Sequence, residues 1–466
     1  MTMLKRAAYE SLRRWKNESK RKVLLIDGAR QIGKTYLIEE FARAEYESYV
    51  KIDFLDDSGA AALFAGARSA SQVAERVLLY SGRPRQGGKT LVFFDEVQKA
   101  QNIVTLSKYL LEDDRFDFVM SGSMLGVELT QVKSFPVGYM DTIRMYPLSF
   151  REFCWSQNVP AGILEEIDEC YSRRKPVDEG LHSKLIDLFR LYLVVGGMPE
   201  AVQKYIDTRS DLGAVREAQT QIVQLYREDI AKYAADRVLQ VKAIFDELPN
   251  QLAKENKRFQ LKSLRDNGRF AQFANDFAWL VGAKAALKTV NVKEPKFMLA
   301  RTEEQARFKL YSSDCGMLAS RYPLAVAADI LIGSKSVNYG AVYENYVAQE
   351  LAAAGVKLRY YHNSGKGEVD FIAETHAAQV VPIEVKSGKD YKVHSALNNL
   401  LSTQEFNIPE AVVFSEGNVE VRKKQGKCVV YLPLYMVGLL ADELNAENAS
   451  YEKAPARGFC VAPPTW

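Results

Sequence analysis

Residues 28–35 read Gly28-Ala29-Arg30-Gln31-Ile32-Gly33-Lys34-Thr35 and satisfy GxxxxGK[ST] at every fixed position. On background residue frequencies, such a match arises by chance in on the order of 1–2% of chains this long. The residue types suit one chemistry. Glycines at 28 and 33 permit a backbone that turns successive N–H groups onto phosphate oxygens, and the helix that follows adds its positive end. Lys34 supplies a mobile ammonium for the β- and γ-phosphates, and Thr35 a hydroxyl for Mg2+. Ala29, Arg30, Gln31 and Ile32 complete the loop, and Tyr36 follows it. ATP and Mg2+ are the expected cofactors.

Binding a nucleotide does not by itself hydrolyse it. Leu91-Val92-Phe93-Phe94-Asp95-Glu96 ends a run of four apolar residues in two carboxylates. A buried strand ending this way presents both at the C-terminal edge of a sheet, where open α/β sheets bind ligands. Asp95 is then expected to hold Mg2+, directly or through water, and Glu96 to orient and deprotonate the attacking water. The run FDFVMSGS ends in Ser121 and Ser123. Both could hydrogen-bond the γ-phosphate or the water, although serines at strand ends also serve turns. The residues identify no arginine finger: Arg227 is one candidate, and Arg30, inside the loop, could instead meet phosphate or a partner.

A second constellation lies near the C-terminus, where GEVDFIAE and VVPIEVK carry Asp370, Glu384 and Lys386. Strand alternation separates Val381, Ile383 and Val385 from Glu384 and Lys386, and Val369 and Phe371 from Asp370. Adjacent strands would bring Asp370 beside Glu384. Two carboxylates that close repel unless a cation joins them, and hard Mg2+ prefers oxygen ligands. Lys386 would then polarise or deprotonate a metal-bound water for attack on a phosphodiester. The competing reading is a half-exposed sheet face with a surface ion pair of little worth.

The elements that position these residues follow from periodicity. RKVLLID, SYVKIDF, TLVFFDE, FDFVMSG and DTIRMYP alternate with helical stretches, which predicts an α/β domain with a parallel sheet over 1–155. Helical spacing over 156–235, broken at GGMP, reads as a lid. Shorter helices and the strand pair KTVNVK and ARFKLYSS fill 236–325. Between Lys254 and Lys309 there are 13 Lys plus Arg against 6 Asp plus Glu. That excess suits a winged helix-turn-helix contacting nucleic acid, or a solvated helical connector. A second α/β domain occupies 335–440, and 441–466 form a tail.

Composition narrows the class. The 466 residues carry 62 basic and 59 acidic side chains, a net charge of +3, so the whole chain announces no nucleic-acid or membrane partner. The five scattered cysteines lack CxxC spacing, which argues against a zinc site or disulfide scaffold. The N-terminus lacks the apolar core of a signal peptide, and no run approaches 18 apolar residues. A cytoplasmic protein without a membrane partner is expected.

In this order, GARQIGKT, LVFFDEVQ, the Ser-Gly-Ser strand end, MYPLSFREF, GGMPEAV and YREDIAKY resemble a group of prokaryotic AAA-type ATPases of mostly unknown function. In that group a C-terminal domain related to the PD-(D/E)XK nuclease superfamily follows, and FKLYSSDCGMLAS, NYGAVYENYVAQEL, GEVDFI and PIEVKSG are similar to it. The resemblance spans about 5–440. It implies an AAA-type parallel-sheet core, a helical lid, a winged-helix segment and a PD-(D/E)XK nuclease-like α/β domain. It also implies Glu344 as a further metal-side carboxylate beside Asp370 and Glu384, and it allows a homo-oligomer. The expected function is ATP hydrolysis coupled to a domain that binds nucleic acid and uses Mg2+ to cleave it. The alternative is an ATP-dependent regulatory switch whose nuclease-like domain is catalytically silent. A small-molecule P-loop kinase ranks last, because it needs no nuclease-like half.

Overall fold

The protein is described here from a computed structural model covering residues 4–19, 21–82, 89–123, 138–334, 340–375, 378–388, 392, 394–424 and 426–445. Most of the tail lies outside these residues. The chain forms two compact units. One comprises Met1–Tyr146 with Ala278–Ala285, the other Pro147–Phe277 with Ala286–Trp466.

The first unit holds β1 (Val23–Gly28), β2 (Ser48–Asp53), β3 (Thr90–Asp95), β4 (Phe116–Gly122) and β5 (Met140–Met145). All pair in parallel, in the order β2-β3-β4-β1-β5. These are the five strands read from the sequence. Their near-continuous apolar runs follow from burial on both faces of a parallel sheet. Phe94 is fully buried and stacks between Phe54 and Phe118. Strand β4 lies between β1 and β3, with Ile26 opposite Ser121 and Phe94 opposite Met120. The loop after β1, the carboxylates after β3 and the serines after β4 therefore meet at one sheet edge. Helix α1 (Ala8–Asn17) precedes the sheet, and α2 (Lys34–Glu45) begins at Lys34.

The second unit opens with the helices Phe150–Ser156, Ala161–Arg173, Glu179–Val195, Pro199–Asp207, Leu212–Tyr233 and Val238–Leu252. GGMP is more than a helix breaker. A Cβ on Gly197 would stand 2.1 Å from the Leu148 carbonyl oxygen, and one on Gly316 2.5 Å from the Gly196 backbone. Asp314 accepts the Gly197 N–H at 2.7 Å and the Met317 N–H at 2.8 Å. Three glycines and one buried carboxylate thus let two loops cross in backbone contact.

The strand pair expected as a wing is β6 (Ala286–Val292) and β7 (Glu303–Ser312), and it is antiparallel. It does not stand free. β6 also pairs in parallel with β8 (Arg359–Asn363), which pairs with β9 (Gly367–Val369), so one sheet runs β7-β6-β8-β9 across the expected boundary at 335. A second sheet runs β10-β11-β12-β14-β13, formed by β10 (Phe371–Glu374), β11 (Val380–Val385), β12 (Glu410–Ser415), β13 (Glu420–Lys424) and β14 (Lys427–Pro433). Helix α3 (Gly340–Ala353) is buried along its length, and α4 (Ser395–Ser402) packs on β9 and β12. Among the described residues, no helix is long and apolar enough to cross a membrane.

Candidate functional site

The sheet edge of the first unit assembles the phosphate site. Gly33 caps α2 in the left-handed region at φ 84°, and Gln31 shares that region at 64°. Gly28 is required for space rather than for its dihedral angle, since a Cβ there would lie 2.4 Å from the Ile32 side chain and 2.7 Å from the Met145 carbonyl. Lys34 is buried and donates to the Gly28 and Ala29 carbonyls at 3.0 and 2.7 Å. Burial pushes its ammonium down to about 8, against Glu96 and Asp95, which favour the charge. An ammonium held over the loop's own carbonyls, in a cradle a side chain would fill, fits a phosphate site.

Asp95 is 3% exposed and accepts hydrogen bonds from the Thr35 hydroxyl at 2.8 Å and from Ser121. Lys51 stands 3.6 Å from it. Glu96 sits in the left-handed region at φ 49°, with its carboxylate bonded to Ser123 at 3.1 Å and to Gln98. Thr35, Asp95, Glu96, Ser121 and Ser123 therefore form one connected network. A hydroxyl and a carboxylate in contact suit Mg2+, which is held by one or two carboxylates plus substrate phosphates. Tyr36 is half-exposed beside the loop, and Arg227 pairs with Asp246 at 2.8 Å within the second unit.

One contributor went unread. Arg6 is 8% exposed and donates to the Ile32 carbonyl at 2.8 Å and the Tyr146 carbonyl at 2.7 Å. It braces the loop from the side away from the sheet. Nothing in the basic N-terminal stretch distinguishes it from its neighbours.

In the second unit, Asp370 sits between β9 and β10, and its carboxylate accepts the Val385 N–H at 2.9 Å. Glu384 pairs with Lys386 at 2.7 Å. Strand alternation thus brings these three together as expected, and Glu344 joins them from α3. The cation among them is a lysine. Lys309 of β7 is fully buried, with its ammonium 3.3 Å from Glu344, 2.7 Å from Glu368 and 3.6 Å from Asp370. Lys257 also pairs with Glu344, at 2.5 Å, and the Tyr311 hydroxyl donates to the same carboxylate at 2.9 Å.

Electrostatics follow from that packing. Burial opposes the Lys309 charge, yet Glu344, Tyr311, Glu368 and Asp370 hold its pKa well above the usual value. Burial also opposes the Glu344 charge, but Lys309 and Lys257 bring its pKa down to about 2. Asp370 moves the other way: burial, Glu344 and Glu384 push it well above the carboxylate range. Burial raises Glu384 too, despite Lys386, and its Oε2 is buried without a partner. Among the described residues, no group of three or more His, Cys, Asp or Glu is disposed to hold a metal. Of the three carboxylates expected to hold Mg2+, Glu344 and Asp370 lie against the Lys309 ammonium, while Glu384 pairs with Lys386.

Seven cations of the basic stretch 254–309 have acidic partners. Lys254, Lys257, Lys284, Lys293, Lys296, Arg307 and Lys309 all pair with carboxylates of this chain. Lys309 could have been suspected from one signal: FKLY places a lone lysine inside an apolar strand, where only a carboxylate partner makes burial tolerable.

Comparison with known proteins agrees with the first unit. Residues 20–154 match the family model described as an AAA domain, 186–326 a domain of unknown function (DUF8612), and 339–435 another (DUF4143). These matches do not tie residues 339–435 to the PD-(D/E)XK nucleases. Similar solved structures include a Walker-type ATPase of Pyrococcus abyssi, with 13% identity, TM-score 0.41, and 68% of this chain and 96% of that one covered. The Aeropyrum pernix ORC1 protein in complex with DNA has 11% identity, TM-score 0.26, and coverage of 70% and 90%. The S. cerevisiae Hsp104–ADP complex has 13% identity, TM-score 0.25, and coverage of 74% and 42%. None of the curated proteins matches the chain significantly. Residues 20–154 are thus an AAA-type P-loop domain, and the chain is an ATPase.

Proposed function

We propose that this ATPase is a nucleotide-driven switch whose second unit binds a partner and does not cut it. Bound ATP–Mg2+ supplies the scissile phosphoanhydride and a Lewis acid. The chain supplies the rest. The loop N–H groups and Lys34 hold the phosphates, Thr35 and Asp95 hold the metal, Ser121 keeps Asp95 oriented, and Glu96 takes the proton from water. Ser123 and Gln98 fix the Glu96 carboxylate.

One observation carries the silent reading of the second unit: the buried Lys309 ammonium among Glu344, Glu368 and Asp370. That ammonium is paired with Glu344 and Asp370, two of the three carboxylates that a metal would need, and it cannot lower the pKa of a water as a metal does. Counting bound Mn2+ by equilibrium dialysis without nucleotide tests this. Wild type and Asp370→Ala should retain the same amount. A tightly held ion present in wild type and lost in Asp370→Ala would overturn the reading.

A further inference from the structure

A groove of about 830 Å3 in the second unit lies between α4 and the β13–β14 hairpin. Lys392, Arg422, Lys423 and Lys427 line it, together with His394 and Asn398. The carboxylate of Glu420 pairs with Lys392 at 2.8 Å and with Arg422 at 2.6 Å. Lys423 is exposed, and Lys427 anchors its ammonium on the Ile408 carbonyl at 2.8 Å.

The floor of the groove is polar as well. His394 is the N-cap residue of α4 and makes no side-chain cap hydrogen bond. The imidazole is 6% exposed and its Nε2 bonds the Tyr431 hydroxyl at 2.8 Å. Its Nδ1 is buried without a well-formed hydrogen bond, although Asn398 lies close enough to favour protonation. Burial keeps the ring below its usual pKa, with Lys386 and Arg422 acting in the same direction.

We propose that this groove binds the phosphate backbone of a nucleic-acid strand, with Lys392, Arg422, Lys423 and Lys427 on the phosphates. Lysines act here as point charges for phosphate. Asn399, Ser402 and Gln404 offer donors and acceptors along one wall. This inference rests on reading the second unit as a binding body.

The test is fluorescence anisotropy of the full chain with labelled single-stranded DNA and RNA, in EDTA and without nucleotide. Lys392→Glu/Lys423→Glu should weaken binding at least tenfold and lower the salt slope by about 1.4, near 0.7 per lost single-strand phosphate contact. Lys262→Glu/Arg265→Glu should leave both unchanged, and melting curves by circular dichroism should show both variants folded. Unchanged affinity in the first pair, loss in the second, or no binding by wild type would each overturn the groove. So would tripolyphosphate displacing the strand as well as an unlabelled oligonucleotide does, which would assign the site to free phosphates. Adding Mg2+ separates the two proposals: degradation of a probe that the groove still binds would overturn the silent reading alone.

Discussion

Replacing Lys309 by methionine removes a buried cation while keeping most of its volume. The cost can be worked from Glu344. Its pKa falls from 4.5 unfolded to about 2 folded, a difference of 2.5. At about 1.36 kcal/mol per unit this is about 3 kcal/mol. The lowered value means that this stability is present above pH 4.5 and lost as pH falls through about 2. Lys309 is raised, so its share is present below pH 10.5 and lost only as pH rises past its folded value. At pH 7 both shares are complete. Lys257 and Tyr311 lower Glu344 as well, so Lys309→Met should cost on the order of 3 kcal/mol, the low end of the penalty for leaving a buried charge unpaired. Native-state hydrogen exchange in peptides from β7 and α3 reads the loss directly, without requiring both units to unfold together. Lys309→Met/Glu344→Gln should recover at least half of it. A single-variant cost under about 1 kcal/mol, or additive costs in the double variant, would refute the assignment of Lys309 as the counterion.

Lys34→Ala should abolish ATP turnover, and Glu96→Gln should retain nucleotide binding while losing at least about a hundredfold in turnover, as phosphate release and equilibrium binding would show. Arg6→Ala should weaken ATP binding severalfold and speed amide exchange in residues 28–34, because the Ile32 carbonyl loses its brace. Glu350 is buried, accepts the Phe150 N–H at 2.9 Å, and is raised by burial to about 8. A raised carboxylate gives stability present below pH 4.5 and lost as pH rises through about 8. Glu350→Gln should therefore stabilise the second unit by about 2 kcal/mol or more at pH 8 and little at pH 4, measured as the difference in melting curves.

The first unit was legible because its signals are local. GxxxxGKT fixes a loop, LVFFDE fixes a buried strand end, and five apolar runs fix the sheet, so the site needed only the strand order to close. The second unit depends on pairings no local pattern carries. GEVDFI and PIEVK correctly place Asp370 beside Glu384, because register follows from alternation. Lys309 lies 61 residues before Asp370 and reads as surplus basic charge until β7 is known to face α3. The pair β6–β7 was legible from its two apolar runs, whereas the parallel pairing of β6 with β8, far along the chain, carries no local signal. Arg6 left no trace because its partners are backbone carbonyls, which carry no sequence identity.

The most direct measurement places the full chain with ATP, Mg2+ or Mn2+, and linear and circular DNA and RNA in one reaction. Phosphate release and the length of the nucleic acid are then followed together, in wild type, Lys34→Ala and Asp370→Ala. A switch with a lysine-filled cluster releases phosphate in wild type and Asp370→Ala but not in Lys34→Ala, and every nucleic acid stays intact. Cleavage by the wild type that vanishes in Asp370→Ala would contradict it.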